Sequence, residues 1–549
     1  MRNYRNHITI LLTGWVVLWA LSCVQADDVK SIPHLNKQGT ATQLIVDGKP
    51  FLMLAGELGN SSASDLEYME SIWPKLEQMH LNTVLAPVYW ELIEPEENQF
   101  DFTLVDGLIE GARAHRMKLV FLWFGSWKNS MSCYAPLWVK RDQERFPRAI
   151  SSTGQGMEIL SSFHPNNWEA DAKAFARLMN HIREIDNSDH TVIMIQVENE
   201  IGMIPEARDH SDLANELYKQ MVPDALMTYL LGNKTKLIPE FSETWEKAGF
   251  KTAGTWEEVF GKSVWTEEIF MAWSYAGYVE QVAAKGREAY DLPMYVNAAL
   301  IRPNYEPGQY PSAGPLPHLM DIWRAGAPSI DILSPDIYFP NFAEWCEKYH
   351  RSGSPLFIPE AGGGQMAAAN VFYALGAHDA MGFSPFSIES TDNPLKEPVG
   401  IAYQVLSQLT PLILGAQGKN SMAGILLDEE NPVKEINLGN YVFTVSHEYT
   451  DKYAFRASKE GPWPRFGGVI IQQNADTYLI AGSGLIVTFK PKSDNGTIAG
   501  IGAIDLGDVL DGKFVAKRRL NGDQSHQGRH MRLWNQDVTI QQVILYTYQ

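Results

Sequence analysis

The sequence predicts a (β/α)8 TIM barrel followed by a C-terminal antiparallel β-sandwich. Three observations carry that prediction. Apolar runs of strand length recur eight times between residues 51 and 386, separated by stretches of helical periodicity. Several of these runs stop abruptly at polar or charged residues, as parallel strands do where their C-terminal ends open onto a site. From about Gly418 the texture changes to short alternating segments punctuated by turn residues, which suits a sandwich. No Gly-rich phosphate fingerprint follows the first strand, which weakens the competing open, nucleotide-binding sheet. At 549 residues the chain exceeds a single core, so more than one domain is expected.

Residues 43–50 read as a hairpin with Asp47-Gly48 at its turn. Residues 51–55 are the first barrel strand and run into Gly56-Glu57. The helix after it is capped by Ser64-Asp65 and shows Tyr68, Ile72, Trp73, Leu76 and Met79 as its apolar stripe. Residues 82–91 hold the second strand, and a helix through Leu104, Leu108 and Ala112 follows. Residues 118–125 are the third strand, with residues 126–130 at its mouth. An amphipathic helix over 168–185 leads to the fourth strand, which begins at Ile193 and ends Glu198-Asn199-Glu200. Residues 202–263 read as an insertion, partly helical, holding Trp245 and Trp256; such an excursion either shapes a cleft or covers the core. A helix over 268–285 precedes the fifth strand at 292–297. The sixth, seventh and eighth strands are read at 330–338, 355–360 and 381–386, with a closing helix over 400–414. In the sandwich, strands are expected at 441–445, 468–471, 477–481, 485–489, 538–540 and 543–548. Asp494-Asn495-Gly496 and Asp511-Gly512 are read as turns between them.

The N-terminus reads as a targeting segment. Arg2 and Arg5 precede an almost wholly apolar stretch over 8–22, and Val24-Gln25-Ala26 offers a small-residue cleavage site. The apolar stretch is short for a membrane span, so residues 1–26 are read as a signal peptide and the protein as exported to the periplasm. Cys23 supplies the alternative, a lipoprotein anchored there, although Ala20-Leu21-Ser22 is an imperfect lipobox. The expected domains are then the barrel over 27–417 and the sandwich over 418–549. No other stretch reads as a membrane span. A formal charge of −20 argues against nucleic acid or an anionic membrane as the main partner. After cleavage only Cys133 and Cys346 remain, and their spacing shows neither a disulfide nor a metal pattern. No metal or cofactor is expected.

The chemistry is read at the strand ends. A buried strand does not normally finish Glu-Asn-Glu, because buried charge is costly unless paired or used. Glu200 follows the fourth strand and Glu360 ends the seventh, so a closed barrel can bring them face to face across its mouth. Glycoside hydrolysis needs such a pair: one acid protonates the leaving oxygen, and the other attacks the anomeric carbon or activates water. Tyr338 at the end of the sixth strand makes the constellation more specific, and Asp336 is read as a loop or hydrogen-bonding residue rather than a catalyst. The 16 Trp suit stacking on sugar rings and equally suit a large core.

These motifs carry a resemblance. Val197-Glu198-Asn199-Glu200 and Phe357-Ile358-Pro359-Glu360 resemble the acid/base and nucleophile motifs of the retaining glycosidase clan on (β/α)8 barrels. Gly56-Glu57, Asn82-Thr83-Val84 with Trp90 and Glu94-Pro95, and residues 196–200 resemble glycoside hydrolase family 35, the β-galactosidases; residues 331–338 also resemble family 42. The resemblance covers roughly residues 40–415, and the sandwich resembles the small β-domain of one bacterial branch of family 35. It implies a retaining exo-β-galactosidase acting on galactosylated plant oligosaccharides, xyloglucan side chains among them. Glu200 would be the acid/base and Glu360 the nucleophile. Asn199 would bond the sugar 2-hydroxyl and Tyr338 would orient Glu360. Glu57, Trp127 and Asn129 would hold the terminal sugar, and Glu198 would support the site. Two positions depart from the family pattern: Pro87 stands where many members carry Tyr, and Asn129 where they commonly carry a sugar-binding Glu. Two alternatives therefore stay open: another exo-β-glycosidase of the clan, such as an α-L-arabinopyranosidase, and a carbohydrate-binding barrel without activity.

Overall fold

The computed structural model describes residues 31–351, 354–450, 462–493 and 496–549. The signal peptide and Cys23 lie outside the described residues, as do two of the three residues of the 494–496 turn. The chain opens with a three-stranded antiparallel sheet, His34–Gln38, Ala41–Val46 and Lys49–Phe51. Asp47 and Gly48 at its second turn have φ of 51° and 74°, the left-handed pair that a two-residue hairpin demands.

Eight parallel strands then form a closed barrel: β1 (Met53–Glu57), β2 (Thr83–Tyr89), β3 (Lys118–Lys128), β4 (Val192–Asn199), β5 (Met294–Ala299), β6 (Ile332–Ile337), β7 (Ile358–Ala361) and β8 (Gly382–Pro385). Each pairs with its neighbour in sequence, and β8 returns to pair with β1. The strands are buried along nearly their whole length, which is why their sequences run apolar rather than alternate. The N-terminal sheet closes the bottom, where the Asp47 carboxylate meets the buried His190 ring, just before β4, at 2.9 Å.

The helix after β1, Leu66–Gln78, is capped by Asp65, whose carboxylate accepts from the Tyr68 N–H at 2.7 Å. Its buried face is Met69, Ile72, Trp73 and Leu76, whereas Tyr68 is 55% exposed. The expectation for Tyr68 is corrected: Met69 stands three and four residues before Ile72 and Trp73, so the stripe's centre passes through it and leaves Tyr68 on the outer edge. In the insertion, short helices Asp212–Tyr218, Asp224–Gly232, Pro239–Lys247 and Trp256–Phe260 bury Trp245 and Trp256 in the main core.

The closing helix expected over 400–414 is observed as Pro398–Ala416; contrary to the reading that no stretch beyond the N-terminus is a membrane span, it is long and apolar enough by composition to cross a membrane. Half of its apolar window is buried inside the fold. Its Tyr403 hydroxyl reaches the barrel seam, where it lies 2.8 Å from both the Ala55 and Phe383 carbonyls, one on β1 and one on β8.

The first sandwich strand starts at Met422. A six-stranded and a four-stranded antiparallel sheet enclose a second core that includes Ile425, Phe443, Ile470, Leu485 and Leu545. The long hairpin Ile498–Leu510 and Lys513–Leu520 turns at Asp511 and Gly512, with φ of 49° and 73°. The sandwich packs closely on the helix Gly364–His378: a Cβ on Gly376 would stand 2.7 Å from the Gly424 Cα, and one on Gly467 2.2 Å from the Ala369 carbonyl oxygen. Arg465 adds polar ties, donating to the Asn370 side chain at 3.2 Å and to the Pro340 carbonyl at 2.6 Å. Cys133 and Cys346 are free thiols.

Candidate active site

The tip of β4 organises the mouth. Glu198 and Glu200 both have left-handed φ, 61° and 45°, on either side of Asn199. Such backbone costs on the order of 1–3 kcal/mol per non-glycine residue and persists where the surroundings over-determine it. Here it fans three consecutive side chains into three environments. Glu198 turns away into the wall, where it accepts from the Trp127 N–H at 2.7 Å. Burial, then the neighbouring Asp171, push its carboxyl well above the usual range. Asn199 and Glu200 take part in the network at the mouth.

Glu200 is 6% exposed. Its backbone N–H donates to the Asn297 amide oxygen on β5 at 2.9 Å, and its Oε2 accepts a short hydrogen bond from the Asn129 amide. Burial, and secondarily the charge of Glu360, push its carboxyl up to about 7. Glu360, on β7 and 5% exposed, accepts a short hydrogen bond from the Tyr338 hydroxyl. Burial raises its carboxyl, while the Lys128 ammonium and the Tyr338 hydroxyl pull it back down. One carboxylate oxygen from each of Glu200, Asp336 and Glu360 lies within 4.8 Å of the others. Among the described residues this is also a group close enough to share a cation, although the Lys128 ammonium already brings positive charge to it.

Lys128 was not singled out in the sequence. It is almost fully buried at the end of β3, and its ammonium donates to the Asn199 amide oxygen at 2.8 Å. That bond leaves the Asn199 Nδ2 without a protein partner. A register shift between Trp123 and Lys128 in the pairing of β3 with β4 sets Lys128 opposite Asn199. The available signal was a lysine between Trp127 and Asn129 at a barrel mouth, where a buried cation must have anionic or polar partners. Asn297 and Asp336 were likewise not taken as site residues. Asn297 Nδ2 donates to Asp336 at 2.7 Å, which links β5 to β6.

Glu57 ends β1 fully buried, with neither carboxylate oxygen partnered by protein. Burial and the charge of Glu360 push its carboxyl well above the usual range. Asn129 is held directly on Glu200. Trp127 requires a correction. It is fully buried in the main core against Tyr275 and Tyr278, at ring distances of 5.4 and 4.7 Å. Strand alternation explains this: Lys128 takes the inward position, so Trp127 takes the outward one.

Comparison with known proteins follows the same regions. Residues 62–275 match the family model Glyco_hydro_42, described as beta-galactosidase, and residues 399–532 match a domain of unknown function, DUF5597. A beta-galactosidase from Xanthomonas manihotis is 27% identical over 200 residues, covering 34% of this chain and 29% of the relative. The match thus spans less than a third of that relative's length. Two structures of Gan42B, a GH42 beta-galactosidase from G. stearothermophilus, one of them a catalytic mutant, superpose with TM-scores of 0.50 and 0.52 at 10% and 11% identity. Each covers 93% of this chain and 100% of the other, and each shows a shared fold. The comparisons give no support to family 35: the glycoside hydrolase pattern matched by residues 62–275 is that of family 42.

Proposed function

We propose that this protein is a retaining exo-β-galactosidase. The observation that carries the reading is the meeting of Glu200 and Glu360 at the barrel mouth, both almost fully buried and with their nearest oxygens within 4.8 Å. Retaining enzymes hold their two carboxyl groups about 5–5.5 Å apart, and inverting ones leave a wider gap for water. The match of residues 62–275 to a beta-galactosidase model supports the sugar.

The two acids are prepared for different tasks. Glu200, raised to about 7, keeps a proton near neutral pH and delivers it to the departing oxygen. Glu360, whose carboxyl burial raises and Lys128 and Tyr338 pull part of the way back, attacks the anomeric carbon as a carboxylate. Once Glu360 is esterified its charge is gone, which removes the second-largest cause of the raised Glu200 carboxyl. Glu200 then takes a proton from water, and the water displaces Glu360 with a second inversion, so configuration is retained. The free Nδ2 of Asn199 is available to the sugar 2-hydroxyl, and Glu57 offers two oxygens to ring hydroxyls. Catalytic carboxyls this deeply buried suit removal of a terminal residue better than cleavage within a chain.

The motif resemblance supports a galactosylated plant oligosaccharide as substrate, with xyloglucan side chains as the specific case. The basic and apolar start of the sequence supports export to the periplasm, with anchoring at Cys23 as the lipoprotein form. The deciding assay uses aryl β-D-galactoside, β-D-glucoside, β-D-fucoside and α-L-arabinopyranoside, with galactosylated xyloglucan oligosaccharide alongside. Preference for the galactosides with β-galactose as the first product is expected. Initial release of α-galactose overturns retention, and preference for the arabinopyranoside overturns the sugar assignment.

A further inference from the structure

Asp336 stands near the end of β6, two residues before Tyr338, and is 2% exposed. Its Oδ2 accepts from Asn297 Nδ2 at 2.7 Å, and the same Asn297 amide accepts the Glu200 backbone N–H at 2.9 Å. A single amide therefore ties Asp336 to the tip of β4. The other oxygen of Asp336 accepts no hydrogen bond from a protein donor, and one oxygen of this carboxyl lies within 4.8 Å of oxygens of Glu200 and Glu360.

The charged and titratable groups around it come from most of the ring. They are Glu57 on β1, Lys128 on β3, Glu200 on β4, Tyr295 on β5, Tyr338 after β6, Tyr349 on the next helix and Glu360 on β7. One of them, Lys128, is a cation. Glu360 must be ionised to attack, and it already uses that charge. Close buried carboxyls in such surroundings share a proton rather than ionise together.

We propose that Asp336 is a positioning acid that keeps its own proton and donates it as a hydrogen bond to the Glu200 carboxylate, steadying that carboxylate while the covalent intermediate waits for water. The inference rests on the acid/base reading of Glu200. Burial and the charges of Glu360 and Glu200 push Asp336 well above the usual carboxylate range, and its hydrogen bond in turn lowers Glu200. Asp336 then matters more in the second half of the reaction than in the first. In the first half Glu200 begins protonated and needs no donor.

The test compares Asp336→Asn with Asp336→Ala in the full chain, on an aryl β-galactoside whose good leaving group makes hydrolysis of the intermediate rate-limiting. The amide of Asp336→Asn copies a neutral carboxyl: its oxygen can accept from Asn297 and its nitrogen can donate to Glu200. It is expected to keep kcat within about threefold. Asp336→Ala is expected to lose kcat by about tenfold or more while kcat/KM, which reports the first half, falls less. Its basic limb of kcat/KM is expected to move to higher pH, because a donor to the Glu200 carboxylate is gone. A packing role alone would leave that limb in place. Asp336→Asn as impaired as Asp336→Ala overturns the proposal, since the ionised form would then be the working one. An Asp336→Ala enzyme with unmoved kcat and basic limb also overturns it. Glu200→Gln is run beside them: full activity there sinks the acid/base reading itself, whereas loss there with indifferent Asp336 variants sinks only the inference.

Discussion

Lys128 and Asn199, on the neighbouring strands β3 and β4, are joined by a 2.8 Å hydrogen bond from ammonium to amide oxygen. The bond fixes which way the amide faces and brings a buried positive charge beside several carboxyls. Both effects follow from one side chain, so its removal has two separable consequences.

Lys128→Met is expected to lower kcat/KM by about a hundredfold, the scale of losing one preorganised electrostatic partner. Lys128 lowers the carboxyl of Glu360, so without it the nucleophile is protonated up to a higher pH. The acidic limb of kcat/KM should therefore move upward. A pH–rate profile with an unmoved acidic limb would show that Lys128 only orients Asn199.

Tyr338→Phe removes the hydroxyl that donates to Glu360. A hydrogen bond to a charged group contributes about 1.5–3 kcal/mol, which sets an expected loss of about 10- to 100-fold in kcat/KM. Since that bond also lowers the Glu360 carboxyl, the acidic limb should again rise. Tyr338 is 45% exposed, so the fold should tolerate the change, and an unaltered melting temperature checks this.

Glu57→Gln is expected to stabilise the protein at neutral pH while weakening sugar binding. The carboxyl is raised well above its ordinary value of 4.5, chiefly by burial. Above that value the unfolded chain ionises Glu57 while the folded chain still holds the proton, so stability falls as pH rises toward the folded value. Gln has no proton to lose and escapes that cost, a gain on the order of 1 kcal/mol. Melting temperatures of the two proteins should agree near pH 4 and diverge by pH 7. Parallel curves across that range would mean that Glu57 titrates normally.

Gly467→Ala places a methyl group 2.2 Å from the Ala369 carbonyl oxygen, which is backbone and has little freedom to yield. Overpacking of this kind typically costs about 1–3 kcal/mol. Thermal unfolding should begin earlier, with the contact between sandwich and barrel failing first. Limited proteolysis that shows no earlier release of the sandwich would contradict this.

How much of this was legible depended on the kind of residue involved. Barrel strands stood out because apolar runs buried on both faces carry their own signature, and all eight lie within a few residues of where the sequence puts them. Ile498–Leu510 was missed because its Ala and Gly content hides strand character, although the Asp511-Gly512 turn beside it was visible. In the site, Glu200, Asn199 and Glu360 were readable as polar residues where polar residues are costly. Trp127 and Lys128 were exchanged in importance, because inward and outward positions at a strand end depend on a register shift that no single strand reveals. Asp336 and Asn297 looked like ordinary strand-end residues, and only the closed ring puts them beside Glu200.

The Tyr403 hydroxyl touches both β1 and β8, and it stands 348 positions after the β1 residue whose carbonyl it meets. The ring of strands is thus locked by a residue that follows all eight strands in the sequence. The recognised sequence unit of unknown function begins at residue 399, just before that tyrosine. Dividing the gene product at that border would hand the lock to the wrong fragment. Neither half should then behave as an independent protein, and a barrel ended before residue 399 should keep its first and last strands unjoined until the missing helix is supplied.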